Sequence, residues 1–342
     1  MKISAAYNWD YDVLKAYSKL DVQEVFAAPS KALLGSGRTE TNAIDLADIK
    51  NHICKAKDYG IGFNFLINTT YVNDSISENE IINYLREIEN LSPDIVTIAH
   101  PKLIQLASNH ICIPIKISVN AHLKDKDSIE AYPYNLGKRI NLDTIINRDF
   151  ASLSYLRENI KKDLELLANQ GCIHNCAFRD EHNRLCSISS STIPCISSTD
   201  IRKQEMRFLR YCFTERITNP DNLIKAYWIR PEDIDYYGKM GFDIKIAGRQ
   251  KSSEWLINTV RAYSERCYNG NLIDLICLSR EEIVFGKQKG NGFIIDNNIL
   301  SKENFIDHIL SKDHSETFYQ YITKKAVSIL DPEKKISVLE AL

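Results

Sequence analysis

The stretch LELLANQGCIHNCAFRDEH, Leu164 to His182, runs from an apolar strand pattern directly into a cysteine pair, Cys172 and Cys176. Three more cysteines follow within forty residues, at Cys186, Cys195 and Cys212, and the connection closes on YWIRPEDIDYYGKMGFDIKIAGR, a turn, a helix and a further strand ending near Arg249. Five of the nine cysteines therefore lie in one strand-to-strand connection. The position of that connection in the strand–helix order decides the fold.

Working outward, short apolar strands alternate with helical periodicity. The strands read Lys2–Tyr7, Val22–Ala27, Gly62–Asn68, Asp94–Ala99, Pro114–Val119, Lys138–Leu142, Asp163–Ala168 and Asp243–Ala247. Between them the spacing predicts helices over Trp9–Leu20, Leu46–Tyr59, Glu78–Asn90, Lys102–Ser108, Asp127–Leu136 (weakened by Pro133), Asp149–Lys162, Pro231–Met240 and Ser253–Cys267. Eight such alternations in about 270 residues fit a closed (β/α)8 TIM-like barrel, with an open doubly wound sheet as the alternative. In a barrel the loops after the strands form the functional face, and the cysteine-rich loop leaves strand seven there. Residues 1–270 read as the barrel, with the cysteine loop at 172–212, and residues 271–342 as a C-terminal extension with helices at Ser301–Leu310 and Glu316–Leu330.

Composition narrows the functional classes. The 342 residues carry 44% hydrophobic and 26% charged side chains and a net charge of −2, so no global field recruits nucleic acid. No apolar run approaches the roughly 18 residues of a membrane helix, and MKISAAYNWD carries no targeting pattern, so the expectation is a cytoplasmic chain without a membrane partner. Reduced thiols are expected there, and a cluster of them reads better as metal ligands than as disulfides. Four thiolates complete an iron–sulfur cubane or a tetrahedral zinc site. Radical S-adenosylmethionine chemistry would want a third cysteine three places after Cys176, where Arg179 stands. Cys54, Cys112, Cys267 and Cys277 sit inside helical or strand patterns and are expected to be ordinary core thiols.

Other candidates surround the same face. GSGR at Gly35–Arg38 is no P-loop, but it places Arg38 to bind an anion. Asn64 on strand three faces the interior and needs a partner there: substrate, water or a neighbouring strand. His182 reads as a ligand, a proton donor or a surface residue, and is taken as a substrate-binding candidate. Lys245 and Arg249, at the end of strand eight, are candidate groups for a carboxylate or phosphate. Neither a G-x-S-x-G elbow nor an H-E-x-x-H helix is present, so a hydrolytic triad is not supported.

Taken together, GSGR, GFNFLINTTY (62–71), DIVTIAHPKLIQL (94–106), INLDTIINRDFASL (140–153), LLANQGCIHNCAFRDEH (166–182) and WIRPEDIDYYGKMGFDIKIAGR (228–249) resemble the collagenase-like peptidases of unknown catalytic type, peptidase family U, number thirty-two, in their short single-barrel branch. The resemblance spans roughly residues 1–265 in order. It implies a TIM-like barrel with a 4Fe–4S cluster at its mouth, because several members are oxygen-independent hydroxylation proteins that act in ubiquinone synthesis or on cytidine in RNA, with prephenate as oxygen donor. Carried over residue by residue, the ligands are Cys172, Cys176 and Cys212, with Cys195 chosen as the fourth and Cys186 as its alternate; a three-cysteine cluster with an open iron also fits. The function expected is support of hydroxylation or a related redox modification of an anionic or aromatic small molecule or of RNA. The alternatives are a metal-dependent peptidase with zinc in the same site, and a non-catalytic cluster-carrying protein partner of an enzyme.

Overall fold

Alternation along each strand sends one set of side chains into the barrel and the other against the helices, and here both sets are buried. The computed structural model describes residues 1–37, 44–193, 196–278, 292–312 and 314–341. Eight parallel strands close a barrel in sequence order: β1 Ile3–Ala6, β2 Val22–Ala27, β3 Gly62–Ile67, β4 Ile95–Ile98, β5 Ile115–Ile117, β6 Arg139–Asn141, β7 Asp163–Leu167 and β8 Phe242–Ile246. Closure is made by β8 on β1, with Ile3 opposite Ile244 and Ala5 opposite Ile246. The first six strands are followed by α1 Tyr11–Tyr17, α2 Leu46–Asp58, α3 Glu78–Leu91, α4 Pro101–His110, α5 Lys126–Glu130 and α6 Phe150–Asn159. Their starts follow local chemistry. Ser77 and Glu80 make a reciprocal capping box, Asp149 caps α6, and Pro101 takes the first turn of α4, where its missing N–H costs nothing.

The outward set is aliphatic and aromatic: Val25, Phe63, Phe65, Val96, Ile117, Ile140, Leu166 and Ile244 are fully buried beneath the helices. The inward set is polar. Lys116 places its ammonium 2.5 Å from Glu24 and 3.1 Å from Glu165, and Arg139 lies 3.1 Å from Glu24. Ser4 and Asn64 also donate to Glu24, and Asn141 donates to Glu165. Burial alone would raise the Glu24 carboxyl, but Lys116 and Arg139 outweigh it and hold the group down to about 2. A barrel interior can carry such residues only because each charge finds its opposite across the strands.

The cysteine-rich connection departs most from the expected pattern. It is largely helical: α7 Arg179–Ser189, then the 21-residue α8 Ser198–Thr218, which carries Cys212, and the short α9 Asp221–Lys225. Ser197 caps α8, and Phe208, Leu209, Phe213 and Ile217 form its buried stripe. The segment at 231–240 opens as a 3-10 turn and continues as α10 Ile234–Lys239, and α11 Ser253–Glu265 follows β8. Pro133 ends the helix expected over 127–136 early, leaving α5 and a 3-10 turn at Tyr134–Leu136.

The extension holds β9 Phe293–Ile295, α12 Asn297–Lys302, α13 Phe305–Leu310, α14 Glu316–Ala326, β10 Val327–Ile329 and α15 Pro332–Ala341. The helix expected over 301–310 is broken at Asn304, whose φ of 50° is left-handed, and the one expected to reach Leu330 stops at Ala326, where β10 pairs antiparallel with β9. Phe293 stacks on Phe213 of α8, Phe305 stacks on Trp228, and Arg210 donates to the Glu340 carbonyl at 2.8 Å. The extension therefore packs on the cysteine-bearing helix. Three of the expected core thiols, Cys54, Cys112 and Cys267, are exposed instead, because they fall outside the buried stripes of their segments, while Cys277 is half-buried. Among the described residues no helix is long and apolar enough to cross a membrane.

Candidate functional site

The end of β7 is spliced to its surroundings by one side chain. Asn169 donates to the carbonyls of Ala247 and Leu275 and accepts from the Ala247 N–H, so the chain leaves β7 in a fixed direction. Gln170 then donates to the Cys172 sulfur at 3.1 Å. Asn175, at φ 50°, turns the three-residue interval between Cys172 and Cys176, and Tyr227 donates to its side chain. The turn walls a cavity of about 250 Å³ lined by Cys172, Asn175, Cys176, Arg179, Asp180 and Tyr227, among others.

Cys212 reaches the same neighbourhood from α8. Burial pushes its thiol up to about 11; Arg216, one helical turn on, pulls it down, and Cys172 and Cys176 push it up. Burial raises the Cys176 thiol as well. The three cysteines carried over from the family resemblance are thus brought into mutual electrostatic contact. Burial thus favours the neutral thiol at Cys176 and Cys212, which a bound metal would deprotonate. Among the described residues no three His, Cys, Asp or Glu side chains converge as a ready metal site.

Arg216 is the unexpected member. It is 1% exposed, donates from Nη2 to the Gly171 carbonyl at 2.5 Å, and leaves Nη1 with no hydrogen-bond partner. No carboxylate within the described residues pairs with it. A buried guanidinium is stable only beside compensating charge, and the groups at hand that can become anionic are the three thiols. That chemistry fits an anionic group held by thiolates.

A second constellation escaped the sequence reading. Asp143, at the end of β6, lies 3.0 Å from His122 Nδ1 and 2.7 Å from Arg179. Although burial opposes it, His122 and Arg179 hold the Asp143 carboxyl down to about 2. His122 sits at φ 56°, with Asp180 3.4 Å from its Nε2. The loops after β5, β6 and β7 thus meet at one buried carboxylate beside the cavity. The available signal was position: both residues follow strand ends on the functional face.

The other expected residues separate. Cys195 and Arg38 lie outside the described residues. Cys186 lies on α7, where its carbonyl accepts from Ser190, and α7 turns Ser187 and Ser190 toward Thr70 and Ser36. Gly35 and Gly37 make that approach possible: a Cβ on either would come within 2.6 Å of the Ser187 or 2.5 Å of the Asn68 carbonyl oxygen. Asn64 is wholly buried, donates to Glu24 and accepts from Thr97, so of the partners open to it the neighbouring strands are those it uses. His182 is half-buried with its ring against Phe208. Lys245 is buried with its ammonium 4.1 Å from the centre of the Phe26 ring. Burial brings it down to about 8, with Arg249 and Lys116 adding to that and Glu165 and Glu24 opposing it. Arg249 is buried and donates to the Ser36 carbonyl at 3.3 Å.

Comparison with known proteins agrees with this architecture. Residues 9–189 match peptidase family U32. An uncharacterized protease of Methanocaldococcus jannaschii is 27% identical over 253 residues, covering 72% of this chain and 74% of its own. The solved structure of the U32 peptidase Mk0906 superposes with a TM-score of 0.53 at 14% identity, covering 73% of this chain and 94% of that one.

Proposed function

Because the chain belongs to peptidase family U32, we propose that it is an iron–sulfur protein of that family, with Cys172, Cys176 and Cys212 holding a 4Fe–4S cluster at the barrel mouth. The observation that carries this reading is the buried Arg216, whose unpartnered Nη1 calls for an anionic group among these thiols. When bound, the cluster would supply one-electron redox chemistry to oxygen-independent hydroxylation or a related modification. The chain's own residues would do the rest. Asp143 would hold the His122 ring at Nδ1, leaving Nε2, 3.4 Å from Asp180, as the atom for proton transfer. Lys245 and Arg249, buried at the end of β8, are the proposed groups for an anionic or aromatic small molecule, or for RNA.

Anaerobic purification tests this. Visible charge-transfer absorption with about four irons per chain is expected; colourless protein with one zinc overturns it. That second result would support the other reading, a metal-dependent peptidase, which the description of the Methanocaldococcus relative as a protease favours.

A further inference from the structure

Lys116 and Lys245 both point into the barrel, in opposite surroundings. Lys116 is 0% exposed and fully engaged, with its ammonium on Glu24 and Glu165. Lys245 stands in register with Ser4 of β1, whose hydroxyl turns inward to Glu24, so the Lys245 side chain also faces the interior. The preceding inward residue of β8 is Asp243, which accepts the Lys2 N–H at 2.7 Å near the start of the strand. Lys245 is therefore one inward step nearer the mouth. Among the described residues its ammonium makes no hydrogen bond and no ion pair; the group against it is the Phe26 ring, with its centre 4.1 Å away. Lys245 retains 5% exposure where Lys116 has none.

A buried amine without a counter-ion lowers stability, and side chains that break a packing rule in this way are expected where chemistry is done. The charges that face Lys245 are Glu165 and Glu24, which favour its ammonium, and Lys116 and Arg249, which oppose it. Both carboxylates are already engaged by Lys116 and Arg139. Burial is the largest influence and favours the neutral amine. Desolvation and a neighbouring cation are the two means by which a lysine becomes a nucleophile toward a carbonyl carbon. We propose that Lys245 is a Schiff-base lysine, and that the barrel mouth takes a small aldehyde or ketone as its covalent substrate. This goes beyond the cluster reading and needs no iron. The neutral amine adds to the carbonyl carbon; its two hydrogens and the carbonyl oxygen leave as one water, and a proton from solvent completes the iminium. The cationic C=N draws electrons from the adjacent carbon, so that a proton lost there leaves an enamine. Reprotonation of that carbon and addition of water restore the carbonyl compound and the free amine. The activity assigned is proton exchange beside a carbonyl.

The test treats the folded, full-length wild-type chain at neutral pH with limiting acetaldehyde and cyanoborohydride. The reductant converts the iminium to a stable secondary amine, and peptide mass spectrometry locates the added ethyl groups. Lys245 is expected to label about ten-fold faster than the exposed lysines, while the ion-paired Lys116 stays unlabelled. The preference should shrink as pH climbs from about 8 toward about 10.4, where ordinary lysines lose their protons too. It should vanish in urea, where burial is lost. A Lys245 that labels no faster than the exposed lysines, or not at all, overturns the assignment. A preference that survives in urea also overturns it, because the reactivity would then come from local sequence and not from the barrel interior. Iron content is not read, so each of these outcomes leaves the cluster reading as it stands.

Discussion

Arg216 donates to the Gly171 carbonyl at 2.5 Å, and this bond ties the long helix carrying Cys212 to the loop carrying Cys172. The guanidinium has one observed duty, mechanical, and one proposed, electrostatic. Replacing it with methionine removes a hydrogen bond to a buried carbonyl but also a buried charge. These effects oppose each other, so R216M should unfold within about 2 kcal/mol of wild type in the metal-free state. An iron–sulfur cluster on the proposed thiolates would, in contrast, lose its counter-charge. After anaerobic loading and desalting, R216M should retain less than about half the wild-type iron; full retention would remove the electrostatic role.

Lys116 sits between Glu24 and Glu165 with no exposure. Its removal leaves two buried carboxylates sharing Arg139 alone. Lys116→Met should cost about 3–5 kcal/mol in urea denaturation. The double variant K116M/E165Q should recover part of that loss, since it withdraws one of the stranded charges. A loss below about 1 kcal/mol for K116M would mean that the interior ions are more solvated than their burial indicates.

Lys245 carries the opposite sign of effect. Its folded-state value of about 8 lies below the ordinary 10.5 because the charged amine is buried. Between those values the unfolded chain binds more protons than the folded one, so stability rises with pH across the window. Lys245→Met should therefore stabilise the protein at pH 7 by up to about 3 kcal/mol, and the advantage should shrink as pH climbs from about 8 toward 10.5. Parallel denaturation curves for the two proteins, measured at neutral and alkaline pH, check both the sign and the window.

Asp143 behaves as a depressed carboxylate. Its contribution is present above the ordinary value of 3.8 and is lost as pH falls toward about 2. Asp143→Asn keeps the shape but loses the charge facing Arg179 and His122, and should destabilise by about 2 kcal/mol at neutral pH. The gap to wild type should close under acid. A gap independent of pH would assign the loss to packing.

Much of this protein was legible in the residues alone. The eight strands appear within a residue or two at their ends, because β-branched runs between capped amphipathic helices have few other ways to bury both faces. The end of the barrel that the cysteine-rich loop leaves was legible for the same local reason: strand order fixes which end a loop leaves. What only the tertiary structure decided is which distant residues meet there. The polar flanks of α8 hide its buried stripe in the sequence, and only the packed helix lays the turn of Arg216 against Gly171. His122 and Asp143 are 21 residues apart and share no motif; the closure of β5 beside β6 brings them together. Cys277 looked like a core thiol because its neighbours Ile276 and Leu278 are apolar, yet it is half-buried where it bridges to Gln170. Periodicity records which face of its own element a residue occupies, whereas a site depends on which elements then pack together, and that is set by closure of the barrel and return of the chain across its mouth.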